Sequence, residues 1–499
     1  MGGSFYGKGK YREMIRKRIT YTYMLLLLTI FPLCFWDYYY DIANVKFIVF
    51  TGMTLGTMIV VLICRGSYVL NAPVKWIFLW CGANILSFLL SSYKKTAFIG
   101  TGGRNYGLVT VFCITIMFVV VVSEISLPVT GYLSDTFIIS SVLVSVLAVM
   151  NSYGIDFIGF YTGVRMDLRM FYQTTLGHVD ICSSFFALAL PVAAVSTIKE
   201  NDKRKKVLYF VSSIIIFAGQ FGTGCDSGYI NMTVLMIAVI IYVKDYKGMF
   251  TFAVMGMVML WTAKAMMIIN VRTPSARKMD SLSIMSTNTV VICIMSILLV
   301  VVAVYCFLKL KAGKSECGRF KKCLLLCIAT AAVMIFISFI YFTFVDRKSD
   351  IGSLANLLRF SDEWGSCRGY VWRVTLECYS GLPWYNKIFG TGPDTLERVL
   401  TPVYGEEMLR RFDAFYDNAH NEYFQYLITT GIAGLAAYVG LIVSSIKTGL
   451  TVIKSDNNAA PFMIAAVCYL IQAIVNINQV ITTPLMFLCL AMIAFYKEE

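Results

Sequence analysis

The chain contains two histidines, His178 and His420, and the second stands where a membrane-helix pattern begins. The segment DNAHNEYFQYLITTGIAGLAAYVGLI, residues 417–442, runs from polar residues directly into an apolar stretch rich in small residues. Asp417 or Asn418 is the predicted N-cap, which places His420 in the first helical turn. Because the positive end of a helix dipole disfavours imidazolium, we expect a neutral histidine. A neutral imidazole can accept the proton of an alcohol as a general base.

His420 also has a simpler interpretation, as a polar residue at the membrane interface that only helps to cap the helix. Beyond it, Ala433 and Ala437, and Ala436 and Gly440, place small residues four positions apart. This spacing lets a membrane helix pack tightly against its neighbours. The sequence therefore predicts a rigid helix next to His420 under either interpretation.

Arginines are the second chemical feature, since a guanidinium keeps its charge and presents paired donors to a diphosphate. The run GSCRGYVWRV puts Arg368 and Trp372 one helical turn apart. The Gly-rich run IFGTGPDTL that follows is predicted to expose backbone amides to an oxygen anion. Further arginines fall in earlier segments on the same predicted side of the membrane: Arg104, Arg165 and Arg169. Any one of these alone also fits a lipid headgroup contact or a solvated loop charge.

Asp226 stands in FGTGCDSG, at the boundary of a predicted membrane span. A carboxylate there can orient a base or line a polar cavity, and it can equally be a loop residue or a helix cap. The external segments show no carboxylate cluster with metal spacing, and the chain has no CxxC metal pattern. We therefore expect neither a metal nor a cofactor.

These residues belong to a strongly apolar chain. Of its 499 residues, 58% are hydrophobic and 14% are charged, and its mean hydropathy is +0.71. Soluble domains carry about 25% charged residues, and a helix needs about 20 apolar residues to cross a bilayer. We predict an all-α polytopic integral membrane protein with about 12–14 transmembrane helices. The predicted spans are 20–37, 46–64, 74–91, 107–123, 135–150, 179–198, 207–222, 228–243, 249–268, 286–308, 323–344, 422–446, 459–477 and 481–496.

The formal net charge of +14 does not indicate nucleic-acid binding, because the basic residues are scattered between apolar spans rather than gathered on one soluble face. Basic residues in short loops tend to stay in the cytoplasm. The runs KGKYREMIRKR, KENDKRKK and KLKAGKSECGRFKK fall on one side of the predicted topology, so both termini are expected in the cytoplasm. The expected organisation is N-terminal helices over 1–345, a large extracytoplasmic loop with helical segments over 346–421, and C-terminal helices over 422–499. Together they form one membrane domain.

NAHNEYFQYLITTGIAGLAAY resembles the signature segment of the O-antigen ligase and polymerase superfamily, in which a His-Asn pair precedes an aromatic residue and then Gly-x-x-Gly-Leu in the next span. GSCRGYVWRVTLECYSGLPWYNKIFGTGPDTL resembles that family's Arg-Gly, Trp and Gly-x-Gly run. GTGGRNYGL and RMFYQTTLGHVDICSSFFALALP are similar to its earlier arginine segments. The resemblance extends over residues 100–440 and is most specific between 365 and 435.

The resemblance implies a metal-independent bacterial membrane glycosyltransferase whose partners are an undecaprenyl-diphosphate-linked glycan donor and an acceptor glycan or lipid. Its implied location is the cytoplasmic (inner) membrane, with the active site on the extracytoplasmic face. Together, the residues and the resemblance predict His420 as the base. They predict that Arg368, Arg169 and Arg104 bind the diphosphate, and that Asn421, Trp372 and Asp226 support the site. GTGCDSG and GHVD depart from the family's Thr-Ser-Arg and Asn-Pro-Asn types of motif, so the resemblance by itself supports no role for Asp226 or His178.

Several alternatives stay open from the sequence. Within the superfamily, the chain can be a polymerase that joins repeat units, or can transfer glycan to protein. A polysaccharide transporter or flippase is a different class, for which inverted repeats and ionisable residues at mid-membrane are expected. Lys264 is the clearest such residue here. A signalling receptor would need an intracellular output domain, and none is recognisable.

Overall fold

The computed structural model describes residues 2–64, 68–124, 129–166 and 168–495. Among these residues, nine helices are long and apolar enough to cross a membrane. Three shorter apolar helices accompany them: Leu108–Glu124, Ser227–Tyr242 and Thr483–Ile493. The protein is therefore an all-α polytopic membrane protein, as the sequence predicts.

The first part of the chain forms seven helices: α1 (Gly2–Leu28), α2 (Ile30–Leu33), α3 (Ile42–Ile63), α4 (Ala72–Leu90), α5 (Lys94–Ile99), α6 (Leu108–Glu124) and α7 (Val129–Ser152). A short antiparallel pair follows, in which β1 (Tyr172–Gln173) pairs with β2 (Gly177–His178). The next helices are α8 (Val179–Lys199), α9 (Lys203–Gly222), α10 (Ser227–Tyr242), α11 (Tyr246–Arg272), α12 (Ser281–Ser286), α13 (Thr289–Lys311) and α14 (Gly318–Ile340).

The large loop contains four helices and has a hydrophobic core of its own. The helices are α15 (Ala355–Leu358), α16 (Trp364–Gly381), α17 (Trp384–Phe389) and α18 (Leu396–Phe412). Buried side chains of α16 and α18 meet in this core, and Ile428 of the next helix completes it. The chain then continues in α19 (Glu422–Ser455), α20 (Ala460–Gln472) and α21 (Thr483–Ile493). The loop is thus a packed helical unit attached to the top of α19.

α8 lies at the centre of the bundle, packed between α7, α9, α10 and α20. Its run SSFFALALPVAAVS is rich in small residues, which let neighbouring helices approach closely. In α8, 94% of the most apolar window is buried, against 11% in α13 and none in α14. The start of α8 therefore opens onto the interior of the protein, beneath the large loop.

Each of the fourteen predicted spans coincides with a helix, but some bounds differ. α19 runs to Ser455, whereas the predicted span ends at 446. α21 has 11 residues, too few to cross about 30 Å of hydrocarbon at about 1.5 Å per residue. It begins late because the Gln479 side chain accepts hydrogen bonds from the amides of Ile481 and Thr482, at 2.5 and 2.9 Å, and so holds a local turn.

Candidate functional site

The arginine of the GSCRG run is positioned by an irregular start of α16. Residues 365–367 have positive φ angles of 60°, 60° and 70°, so the regular helix begins at Arg368. Nη1 of Arg368 donates a hydrogen bond back to the Gly365 carbonyl at 2.8 Å. Gly369 has no room for a side chain, because a Cβ there would overlap the carbonyl of Ser361. The Arg-Gly pair therefore combines a charge with a close backbone contact.

Arg368 is paired with a carboxylate from a distant part of the chain. Its Nη2 lies 3.4 Å from Oδ1 of Asp180 in the first turn of α8, and the two side chains are 13% and 9% exposed. A guanidinium has five N–H donors. Two hydrogen bonds are made here, and the buried Nε has no partner within the described residues. Arg368 thus keeps donors for an anionic ligand.

Asp180 is the centre of a polar cluster, which we define as His178, Asp180, Cys225, Arg368 and His420. Its Oδ1 accepts a hydrogen bond from the Cys225 thiol at 2.9 Å, and its Oδ2 lies 3.7 Å from Nδ1 of His178. Burial and the neighbouring carboxylate raise the pKa of the Cys225 thiol well above its usual value, so the thiol remains a donor. One carboxylate therefore contacts an arginine, a thiol and a histidine.

His420 lies just outside the helix that the sequence analysis assigns it to. α19 begins at Glu422, and its N-cap is Asn421, whose Oδ1 accepts hydrogen bonds from two first-turn amides at 3.0 and 3.1 Å. The prediction of Asp417 or Asn418 as N-cap is therefore wrong. The Asn418 side chain instead accepts a hydrogen bond from the His420 amide at 2.9 Å, and His420 has a left-handed φ of 46°. The turn formed by Asn418 and His420 therefore places the imidazole outside α19.

The His420 imidazole is half-buried and has an unpaired nitrogen. Its Nδ1 is buried and makes no hydrogen bond within the described part of the chain, while Tyr416 packs edge-on at 6.4 Å between ring centroids. Burial, followed by the charge of Arg368, lowers the pKa of His420 to about 4, although Asp180 and Asp417 oppose the shift. The ring is therefore neutral near pH 7. This agrees with the predicted neutral histidine, and the causes of the lowered pKa are burial and the charge of Arg368.

Arg104 connects three parts of the chain. Its Nε lies 3.2 Å from Oδ1 of Asp394 in the Gly-rich run, and its Nη1 forms an ion pair with Asp417. Its Nη2 donates to the Asp417 carbonyl at 2.7 Å. All three nitrogens are thus engaged, and the side chain is 4% exposed. Arg104 thereby holds in place the segment that precedes His420.

The Gly-rich run does not expose its amides as the sequence analysis expects. The amides of Thr391 and Gly392 donate to the carbonyls of Ile428 and Thr429 of α19, at 3.1 and 2.9 Å. These acceptors are available because α19 kinks at Gly431, where φ is 69° and the regular helical hydrogen bonding is interrupted. The expectation of a free anion-binding turn is therefore wrong: the turn is used to brace α19.

Glycines on both sides make this contact possible. A Cβ at Gly390 would overlap the Thr429 carbonyl, and a Cβ at Gly431 would overlap the carbonyl of Ile388. Gly390 and Gly431 also have φ angles of 81° and 69°, which favour glycine. The Gly-x-Gly run and the first glycine of Gly-x-x-Gly-Leu are therefore two halves of one backbone contact.

Trp372 borders an open groove beside the His420 segment. Its Nε1 donates to the His420 carbonyl at 3.4 Å, and its ring meets Phe424 edge-on at 5.6 Å. The groove has a volume of about 540 Å³, and Phe360, Leu376 and Phe424 contribute to its lining. Trp372 thus supports the His420 backbone and also presents an aromatic surface next to it.

Arg169 and Asp226 make other contacts. Nε and Nη2 of Arg169 donate to the carbonyls of Val164 and Tyr161, at 3.1 and 3.2 Å, within its own loop. Oδ1 of Asp226 accepts a hydrogen bond from the amide of Leu282 at 3.3 Å, at the start of α12. Burial, together with nearby Asp280, raises the pKa of Asp226 to about 6. Within the described part of the chain, the hydrogen bonds of these two residues do not involve Arg368 or His420, although the charge of Arg368 opposes the rise in the pKa of Asp226.

Asp180 is not among the site residues predicted from the sequence, and no role is predicted for His178. Both lie in GHVD, and an ionisable residue at the start of a membrane helix is a signal for function. Asp394 and Asp417 are missed as partners of Arg104, because their pairing depends on segments far apart in sequence. No group of three or more His, Cys, Asp or Glu side chains in the described residues is arranged to hold a metal ion.

The described residues thus form a helical membrane bundle, and a histidine, an arginine and a carboxylate lie together beneath its one large helical loop. Residues 281–439 match the family model described as O-Antigen ligase. This match supports the resemblance of the sequence to the O-antigen ligase and polymerase superfamily. No curated protein matches the chain.

Proposed function

We propose that the protein is a glycosyltransferase of the bacterial cytoplasmic (inner) membrane that moves a glycan from undecaprenyl diphosphate to an acceptor hydroxyl on the extracytoplasmic face. The observation that carries this proposal is the polar cluster, in which, among the described residues, Nδ1 of His420 and Nε of Arg368 have no hydrogen-bond partner. The family match over 281–439, which includes both residues, supports the same reaction class. No step in this proposal uses a metal or a cofactor.

In the proposed reaction, the acceptor hydroxyl attacks the anomeric carbon of the donor sugar. The new carbon–oxygen bond forms as the bond from that carbon to the diphosphate oxygen breaks, and its electron pair leaves with the lipid diphosphate. His420 takes the hydroxyl proton. Arg368 binds the diphosphate and stabilises the charge that develops on its leaving oxygen. Asp180 is a positioning residue, since it holds Arg368 without touching the substrate.

The other predicted residues take different proposed roles. Asn421 and Trp372 hold the backbone on either side of the His420 imidazole. Arg104 positions the segment before His420, because its three nitrogens are already occupied by Asp394 and Asp417. Binding of diphosphate by Arg104 and Arg169 and a supporting role for Asp226 stay predictions.

The test is a transfer assay with purified protein, a synthetic undecaprenyl-diphosphate oligosaccharide and candidate acceptors. Wild type should release undecaprenyl diphosphate and form a longer glycan or a glycan–acceptor conjugate. His420→Ala and Arg368→Ala should each reduce the rate about 100-fold or more. Arg410→Ala, on the exposed face of α18, is the matched control and should retain activity. Full activity in correctly folded His420→Ala protein would refute the proposal.

The product also separates the alternatives. Joined repeat units on the lipid carrier identify a polymerase, and transfer to a different acceptor identifies a ligase. Binding of the lipid-linked glycan without consumption, across all acceptors, would favour the transporter class instead.

A further inference from the structure

The chain's two histidines are brought into the same polar cluster from opposite parts of the sequence. His178 ends β2 and precedes α8, whereas His420 precedes α19. Asp180 connects the first of them to Arg368, because its two carboxylate oxygens lie 3.7 Å from Nδ1 of His178 and 3.4 Å from Nη2 of Arg368. The charge of Arg368, and that of His178 when it is protonated, also lower the pKa of His420. His178 is thus next to the proposed diphosphate site.

Hydrogen bonding determines which nitrogen of His178 carries the proton. Nδ1 accepts a hydrogen bond from the amide of Asp180 at 3.3 Å, which makes His178 the N-cap of α8. In a neutral imidazole with Nδ1 as acceptor, the hydrogen is on Nε2. Burial lowers the pKa of His178, with Asp180 opposing the shift, so the ring is neutral near pH 7. Nε2–H is therefore a neutral hydrogen-bond donor.

The ring is held in place by its neighbours but is not sealed from solvent. Phe171 stacks on it with ring centroids 6.1 Å apart and an interplanar angle of 4°, and Tyr172 meets it edge-on at 6.3 Å. The backbone of His178 pairs with Tyr172 across β1 and β2. The side chain remains 36% exposed. A fixed and accessible donor is well suited to binding an oxygen anion without reorganisation.

We propose that His178 donates its Nε2–H to a diphosphate oxygen of the lipid-linked donor, beside Arg368. This inference rests on the proposed function. The two histidines then have opposite tasks, since Nδ1 of His420 accepts a proton while Nε2 of His178 donates a hydrogen bond. A neutral donor suits this position, because a second positive charge would make His420 a still weaker base.

Two substitutions of His178 separate this role from simple helix capping. The Asn amide oxygen reproduces the position of Nδ1, so His178→Asn keeps the cap and loses the Nε2–H donor. The longer Gln side chain reproduces Nε2, so His178→Gln keeps the donor. We expect His178→Asn to weaken binding of undecaprenyl diphosphate about tenfold and to lower kcat/KM by at least as much, whereas His178→Gln stays closer to wild type.

If His178 acted only as a helix cap, the two variants would rank in the opposite order. His178→Asn would then behave like wild type, and His178→Gln would lose both stability and activity. That order would overturn the inference. Thermal unfolding of both variants accompanies the binding measurement, so that a loss through misfolding is recognised. If wild type transfers glycan while both variants match it, the inference fails and the proposed function stands. If wild type transfers no glycan, the proposed function itself fails.

A second measurement reads the binding state without activity. The chain has two histidines, so protein labelled with ¹⁵N-histidine gives signals from only two imidazoles. His178 should show the Nε2–H form, and its Nε2 signal should move when undecaprenyl diphosphate is added. An unchanged His178 signal at saturating undecaprenyl diphosphate would overturn the inference.

Discussion

At the scale of single residues, the proposed chemistry depends on the electrostatic relation between Arg368 and His420. The pKa of His420 is lowered to about 4 by burial and then by Arg368. A base this weak remains neutral at physiological pH, but it accepts a proton with little driving force. Diphosphate bound to Arg368 offsets the arginine charge, so we expect the donor itself to make His420 a stronger base.

The effect of Arg368 on His420 predicts that kcat/KM and kcat decline at different pH values on the acidic side of their pH profiles. In the proposed mechanism the neutral form of His420 is the active one, so we expect activity to fall as pH decreases through its pKa. The profile of kcat/KM reports the free protein and should fall near pH 4, whereas kcat reports the complex and should fall at higher pH. Initial rates across the acidic range, with tryptophan fluorescence as the check on folding, measure both limbs. Coinciding limbs would contradict the proposed coupling.

Removing the arginine charge tests the same relation from the other side. Arg368→Gln should move the acid limb of kcat/KM to higher pH, because the first electrostatic cause of the lowered His420 pKa is removed. The residual activity of this variant is measured across the same pH range. Arg410→Gln, on exposed α18, is the matched control and should leave the limb in place. An unshifted limb in Arg368→Gln would show that burial alone sets the pKa.

At the scale of elements, the kink of α19 and the Gly-rich turn form a single support for His420. The kink frees carbonyls at 428 and 429, and the turn supplies the amides that bind them. Asp394, at the end of the turn, then binds Arg104, which binds Asp417. The glycine spacing in these two runs is therefore explained by the close backbone contact between them.

Glycine substitutions test this support. Gly431→Ala introduces a Cβ that overlaps the Ile388 carbonyl and imposes a left-handed φ on alanine. We expect a loss of about 2 kcal/mol or more in stability, together with reduced transfer. Thermal unfolding in detergent measures the first effect. Gly56→Ala in α3, where nothing lies within 4 Å of the added Cβ, is the control and should unfold at the wild-type temperature or above. Equal stability of the two variants would contradict the proposed contact.

At the scale of the whole molecule, ion pairs between residues far apart in sequence hold the large loop against the helical bundle. Arg368 of the loop binds Asp180 of α8, and Arg104 from the segment before α6 binds Asp394 and Asp417. These pairs are mostly buried, so leaving a partner unpaired is costly. They fix the loop above the start of α8, where the polar cluster forms.

Arg104→Met tests whether Arg104 positions the loop or binds the donor. The variant leaves Asp394 buried without its partner, and we expect a stability loss of about 3–5 kcal/mol. The value of kcat should fall while the Kd for undecaprenyl diphosphate stays near wild type. Adding Asp394→Asn should recover part of the stability, because the uncompensated charge is removed. A weakened Kd with unchanged kcat would instead support direct binding of the diphosphate by Arg104.

The sequence by itself determined the membrane class, the positions of the helices and the family resemblance. Long apolar segments must form helices in a bilayer, because every backbone polar group has to be paired internally. His420, Arg368 and Trp372 were found because their types and spacing form a local pattern within one stretch of chain. Helix ends were predicted less well: the N-cap of α19 depended on which of several Asn and Asp side chains met the free amides.

Only the tertiary structure decided which distant residues meet. Asp180 and Arg368 are 188 positions apart, and Arg104 and Asp394 are 290 apart, so no local pattern relates them. The same packing gave different surroundings to arginines that look alike in sequence. Arg104 is paired with two carboxylates, whereas Nε of Arg368 has no partner among the described residues. It also brought His178 close enough to His420 to influence its pKa. Such contacts arise from how helices pack in three dimensions, and a linear pattern of residue types does not encode them in any simple way.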